Sequence, residues 1–283
     1  MKTKKSTRYG IIVIAMVMLI AWCGLPVWAQ DHDDEDGDGG IEWGLLLGGG
    51  GLIMPKYLGS DEMEFQPVPF IDASLEIGFV ELFLNAEKGA GVSLELGESV
   101  PVAFSLGVNM GEGREHDDAD ILKDTPDIEN SYVVFGAAEL ELPPAVGELS
   151  ATVTYAPTTM NYQESERSDT NYDGLLVSLD WENGVGFSRF MIDFELGLTW
   201  MNADYAEANY SLMYPTANLT KTFKAGSGIQ DIHASTTLIY GLSERIGIAL
   251  VSEGMYLLGD AADSPFTKQA FQPFGGAFIV YHI

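Results

Sequence analysis

Four histidines are the side chains of this 283-residue chain best suited to general-base chemistry or nitrogen ligation near neutral pH: His32, His116, His233 and His282. Hydrolytic sites hold such a ring between an acid and a nucleophile. His32 lies in a run of acids, His116 in the acidic stretch Glu115-His116-Asp117-Asp118, and His282 next to the last residue. His233 stands two residues from Ser235 on the polar face of an alternating segment, and no motif around any of the four fixes a nucleophile. The expectation is a protein with no catalytic residues, no cofactor and no specific metal site. A calcium-like pattern does occur: Asp34, Asp36, Asp38, Gly39 and Ile41 follow the first part of an EF-hand loop. Leu45 stands where the bidentate Glu is required and no helices flank the stretch, so loose attraction of divalent cations is the better reading. A third group is acidic. Glu81, Glu95, Glu139, Glu141, Asp180, Asp193, Glu195 and Glu253 all fall on the polar side of alternating segments, with almost no basic residue to pair with them.

Composition narrows the classes. Lys and Arg number 14 against 42 Asp and Glu, a net charge of -28 that excludes a nucleic-acid partner, because phosphate contacts need clustered basic residues. Hydrophobic residues at 46% are too many for a disordered acidic chain. A single cysteine, Cys23, excludes a disulfide framework within the chain.

Residues 1–29 read as a cleaved signal peptide. Lys2, Lys4, Lys5 and Arg8 precede an apolar run from Ile11 to Trp22, and Val27-Trp28-Ala29 offers a cut before Gln30. The run is shorter than the roughly 20 residues of a spanning helix. Trp22 before Cys23 disfavours a lipoprotein signal. The segment holds four basic and no acidic residues, so the chain without it carries a charge near -32. Residues 30–40, QDHDDEDGDGG, form an acidic flexible leader, expected in the periplasm.

From Ile41 to the end the recurring pattern is period-two alternation. Phe190, Ile192, Phe194, Leu196, Leu198 and Trp200 make one apolar face, interleaved with Met191, Asp193, Glu195, Gly197 and Thr199. A soluble sandwich also alternates. Export, strands of about ten residues and aromatics such as Trp43, Trp181, Trp200 and Tyr256 near strand ends favour a membrane barrel instead. Twelve strands are expected, at 41–54, 64–76, 78–85, 89–96, 100–111, 131–142, 148–160, 171–182, 186–202, 230–242, 246–258 and 270–283. Apart from a short connection at 86–88, long and short connections alternate, which is the sidedness of an up-and-down antiparallel outer-membrane barrel with short periplasmic turns and longer extracellular loops. A tight turn is expected at 183–185, and a helical turn near Thr216 to Phe223 in the longest loop. Lys56, Lys88, Arg114, Lys123, Arg167, Lys221, Lys224 and Lys268 all fall in the outer connections, where they would meet outer-membrane lipid and lipopolysaccharide phosphates.

Two stretches carry a family resemblance. Pro55, Tyr57, Gly59, Ser60 and Asp61 are followed by Pro67, Pro69 and Asp72, and near the end come Gly259, Asp260, Ala261, Asp263 and Ser264. In combination they resemble the MipA/OmpV family, the MltA-interacting proteins of Gram-negative outer membranes; Tyr205, Tyr210 and Ala225 to Gly228 are similar too. The resemblance implies an outer-membrane β-barrel and, as for one member of the family, a scaffold role between a murein hydrolase and a murein synthase; other members are associated with adhesion, osmotic response or drug susceptibility. Asp61, Asp72, Asp260 and Asp263 are expected to converge on the outer side. A small cation-favouring pore and a surface adhesin are the alternatives. The pore follows from small inward residues such as Gly91, Ser93, Ala103, Ser105, Gly107 and Gly197, and from the acids above.

Overall fold

The computed structural model describes residues 41–85, 88–97, 101–111, 113–162 and 169–283. The signal segment, the leader with its calcium-like pattern and His32, and Arg167 lie outside the described residues.

Among the described residues twelve strands close into one barrel: β1 (Ile41–Pro55), β2 (Met63–Ile77), β3 (Val80–Asn85), β4 (Gly89–Leu96), β5 (Val102–Gly111), β6 (Ser131–Glu141), β7 (Glu148–Asn161), β8 (Thr170–Phe187), β9 (Phe190–Met201), β10 (Gly228–Gly241), β11 (Ile246–Leu257) and β12 (Phe271–His282). Each pairs antiparallel with its sequence neighbour, and β1 pairs with β12 from Leu46↔His282 to Ile53↔Gly275, which removes both edges. In hydrocarbon that closure is obligatory, since an unpaired backbone group there costs several kcal/mol. A two-residue piece, Asp127–Ile128, adds to the outer end of β7.

Alternation sorts the side chains. Leu106, Leu84, Leu196 and Ile279 point outward and are 59%, 53%, 53% and 61% exposed, part of an apolar belt that continues around every strand. Water would oppose that much exposed apolar surface; lipid accepts it. Exposed aromatics border the belt at both ends: Trp43, Phe79, Phe187 and Tyr281 on the short-turn side, Phe65, Tyr132, Tyr256 and Phe271 on the other. These are interfacial girdles.

The interior departs from a uniformly polar lumen. Leu52, Met54, Val68, Phe70, Ile239, Ala249, Val251, Phe274, Phe278 and Val280 form a buried apolar core inside the wall made by β1, β2 and β10 to β12. Where these residues lie both faces of the strand are apolar, so alternation alone does not separate inside from outside there. Most of the smaller residues and several of the acids line the opposite wall, while Asp72, Asp231 and Glu253 stand on strands of the core wall.

Two local expectations are corrected. The β8–β9 turn lies at Ser188-Arg189, with Ser188 at φ 56°, and β8 runs straight through 183–185. Asn183-Gly184 has the composition of a hairpin turn, but Gly184 faces Asp193 across the ladder, and a Cβ there would collide with that carboxylate. The stacked rings of Phe187 and Phe190, 5.6 Å apart, hold the true turn. In the longest loop the helix is α1 (Ala203–Tyr210), and 216–223 is not helical. Asn202 caps α1 by accepting from the Tyr205 N–H at 2.9 Å.

Closure gives a testable expectation. Gly50 faces inward at the β1–β12 seam, where a Cβ would collide with the Ala277 carbonyl and the Phe278 ring; at Gly49 the nearest atom would be 3.8 Å away. Gly50→Val is expected to destabilise the barrel by about 1–3 kcal/mol and Gly49→Val to leave it nearly unchanged. Heat-modifiable gel migration and urea unfolding in lipid vesicles check this.

Candidate functional site

The family-like residues build a cap over the long-loop end. Gly59 adopts φ +98°, and a Cβ on it would collide with Thr267. Its carbonyl accepts from Lys268 N at 2.7 Å and Gln269 N at 3.1 Å, and its N–H donates to Gln272 Oε1 at 3.1 Å. Tyr57 donates to the Phe266 carbonyl at 3.0 Å, and Ser264 to the Tyr210 carbonyl at 2.8 Å. Asp260 lies in α2 (Gly259–Asp263) and accepts from Gly226 N at 2.7 Å. The first loop, α1, the loop after it and the last loop are therefore one packed unit, with Tyr57, Leu122, Leu212 and Phe266 as an apolar centre. Arg114 lies under it, 4.4 Å from the Phe266 ring centroid, and donates to the Asn209 carbonyl at 2.9 Å. Burial holds its guanidinium down to about 10, opposed by the nearby Tyr57 and Tyr210, and burial pushes the Tyr57 hydroxyl up to about 12. Asp72 does not join the cap: it is buried in β2, opposite Leu46 and Asn85, deep in the barrel. Asp61 is exposed, and Pro67 and Pro69 lie within β2 opposite Gly51 and Gly49.

Below the cap lie two cavities. An outer one of about 710 Å³ is bounded by residues including Tyr57, Arg114, Lys88, Glu139, Thr154 and Tyr205. A second of about 480 Å³ opens among the short turns and is bounded by Glu148, Glu182, Met191, Arg245 and others. Neither lining includes the group of charged side chains around His233 that stands between them on β8 to β11.

In that group, His233 Nδ1 lies 2.9 Å from Asp231 Oδ1, and its Nε2 lies 3.0 Å from Asp180 Oδ1 and 3.6 Å from Glu195 Oε1. Ser235 donates to Glu195 Oε2 at 3.3 Å. The register explains the meeting: Asp180, Gly197 and His233 are successive partners on β8, β9 and β10, so the ring reaches Asp180 across a residue with no side chain. A Cβ at Gly197 would collide with both Asp180 Oδ1 and His233 Nε2. Each ring nitrogen faces a carboxylate, the arrangement of an imidazolium that donates twice. The serine hydroxyl is directed at Glu195 rather than at the ring, so no nucleophile–base pair is formed.

Of the eight acids singled out in the sequence, Glu139, Asp193, Glu195 and Glu253 are buried inside, and Glu81 and Asp180 are partly buried there. Glu95 and Glu141 share the inward parity but are exposed at the short-turn end. Glu148, Glu182 and Asp231 belong to the same interior and were not singled out. Asp231 was findable, because it continues the inward row of His233, Ser235 and Thr237. No Lys or Arg falls within a barrel strand. Lys88, from the β3–β4 connection, reaches in to pair with Glu139 at 3.0 Å. His116 pairs with Asp127 at 2.9 Å in the outer loop, and His282 is exposed at the end of β12.

A family model described as MltA-interacting protein MipA matches residues 47–283. No protein with a curated description matches the sequence. Solved structures with a similar fold include the CymD monoaromatic hydrocarbon channel, at 10% identity and TM-score 0.40, covering 84% of this chain and 88% of that one. The translocator domain of the autotransporter NalP from Neisseria meningitidis is similar at 12% identity and TM-score 0.38, covering 88% and 90%. The Pseudomonas putida toluene transporter TodX is similar at 6% identity and TM-score 0.37, covering 87% and 90%. The barrel here is established by its own strand pairing.

The packing at Gly197 gives a sharp expectation. Gly197→Ala should force His233 and Asp180 apart and destabilise the barrel by about 1–3 kcal/mol. Gly136→Ala, whose Cβ would meet nothing closer than 3.8 Å, should stay within about 0.5 kcal/mol of the parent. Urea unfolding of both variants in phospholipid vesicles reads the difference.

Proposed function

Because the chain belongs to the MltA-interacting protein MipA family, with the family model matching residues 47–283, we propose that it is a non-enzymatic scaffold of the outer membrane that binds a murein-cleaving enzyme. The signal segment 1–29 is cleaved on export, and the acidic leader lies in the periplasm. Murein enzymes work on the periplasmic side, where the short turns of such a barrel lie. The partner therefore docks on the turns around Pro144, Ser188 and Glu244, beside the 480 Å³ cavity. A murein synthase brought to the same surface completes the link.

The observation that carries this reading over transport is an interior obstructed between two separate cavities. An apolar core occupies one wall, the His233 group stands between the two cavities, and the packed loops cover part of the outer mouth. The cation-favouring pore is kept as the second reading because acids outnumber bases inside. Cation-selective current that falls in Glu195→Gln and Glu253→Gln would favour it.

Two measurements separate the readings. In planar bilayers the refolded chain is expected to show no steady conductance. A photo-crosslinker at Pro144 should capture a murein-cleaving enzyme from envelopes, and one at Asn218 in the outer loop should not. Capture of no murein enzyme from either position would contradict the scaffold.

A further inference from the structure

The His233 group has the form of a metal site. We propose that Nε2 of His233, Asp180 and Glu195 bind one divalent first-row transition-metal ion in the middle of the barrel, with Asp231 as the outer partner that orients the ring.

The distances fit. The three donor atoms lie within 4.8 Å of one another, with Nε2 at 3.0 Å from Asp180 Oδ1 and 3.6 Å from Glu195 Oε1. An ion about 2.0–2.2 Å from each nitrogen and oxygen donor sets neighbouring donors roughly 3–3.6 Å apart in tetrahedral geometry. The ion thus takes the place of the Nε2 proton between the ring and the two carboxylates.

The surroundings fit as well. Ligating histidines nearly always donate their other N–H to a carboxylate or carbonyl. Asp231, 2% exposed and 2.9 Å from Nδ1, holds that proton and leaves the Nε2 lone pair directed at Asp180 and Glu195. Gly197 provides the space, since any side chain there would fill the point of meeting.

A separate observation points to a ligand. Glu253 is 6% exposed and faces inward opposite Ser235, which itself stands opposite Glu195, and its Oε2 has no hydrogen-bond partner among the described residues. A dication among these carboxylates gives Glu253 the counter-charge that one imidazolium shared with three other acids does not supply.

Donor type sets the class of ion. Calcium and magnesium favour all-oxygen sites. One imidazole with carboxylates suits manganese, iron, cobalt or zinc. The other acidic group with matching separations, Glu115, Asp117 and Asp118, offers oxygen alone and lies in the outer loop, so it serves as a control.

Cobalt(II) is the probe, used on the full exported chain in detergent micelles after chelator treatment. The substitutions His32→Ala, His116→Ala and His282→Ala leave His233 as the remaining imidazole of the four in the sequence. One equivalent of Co²⁺ is expected to give a saturable visible absorption band and a single exchangeable, paramagnetically shifted N–H resonance from the His233 ring. Zn²⁺ should displace it. Asp231→Asn should weaken binding about 10–100-fold, and replacing Glu115, Asp117 and Asp118 with amides should change nothing. Binding without the shifted N–H resonance, or no saturable band, would overturn the proposal. This readout needs no His233 variant, so loss of folding on removing that residue does not affect it.

Discussion

The pairing of β1 with β12 is the constraint on which the rest depends. In lipid no strand edge can be left open, and closing the sheet leaves each side chain one of two environments. The outward half meets hydrocarbon, and a belt from Leu84 to Ile279 suits it. The inward half is cut off from lipid and must satisfy itself. Strand acids such as Asp72, Asp193 and Glu182 face inward or stand at the inner rim, and no strand Lys or Arg answers them. Burying unpaired charge is costly. Lys88 therefore reaches in from a loop, and His233 is held between Asp180, Asp231 and Glu195.

The same closure gives the inside its two-part character. The wall built from both ends of the chain packs as an ordinary apolar core around Phe70 and Phe278, whose ring centroids lie 6.5 Å apart. The opposite wall keeps small residues and acids and leaves room for the outer cavity. Over it the cap ties residue 57 to 266 and 59 to 272, so the first and last loops fold as one unit. Tyr57, Gly59, Asp260 and Ser264 among the family-like residues thus mark the contact that covers part of the mouth, and they do not line the charged centre.

Much of this was legible in the sequence. Strand number, sidedness and the inward parity of Glu195 and Glu253 follow from alternation, because an inward and an outward environment differ in polarity. The signal fails where the two environments are alike. Along Leu52 to Met54 and Val68 to Phe70 both faces are apolar, and the internal core was hidden. It also fails where a glycine serves packing rather than turning. Gly184 made a strand interior read as a hairpin, and Gly197, which lets His233 meet Asp180, read only as a small lumen residue. The helix at Ala203–Tyr210 had a sign in Asn202 followed by Ala and Glu residues. The pairing of loops 200 residues apart in the chain had none, since it depends on closure.

The central claim is that the interior is divided into an outer and a periplasmic cavity by the apolar core and the His233 group. The chain beyond residue 29 has no cysteine, so single cysteines can report on it directly. Thr154→Cys places a thiol in the outer cavity and Met191→Cys one in the periplasmic cavity. In vesicles carrying the barrel in one orientation, a small charged thiol reagent is applied to each face in turn. The thiol of the Thr154→Cys variant is predicted to react only from the long-loop side, and that of Met191→Cys only from the short-turn side. Reaction of both thiols from the same side at similar rates would contradict the division.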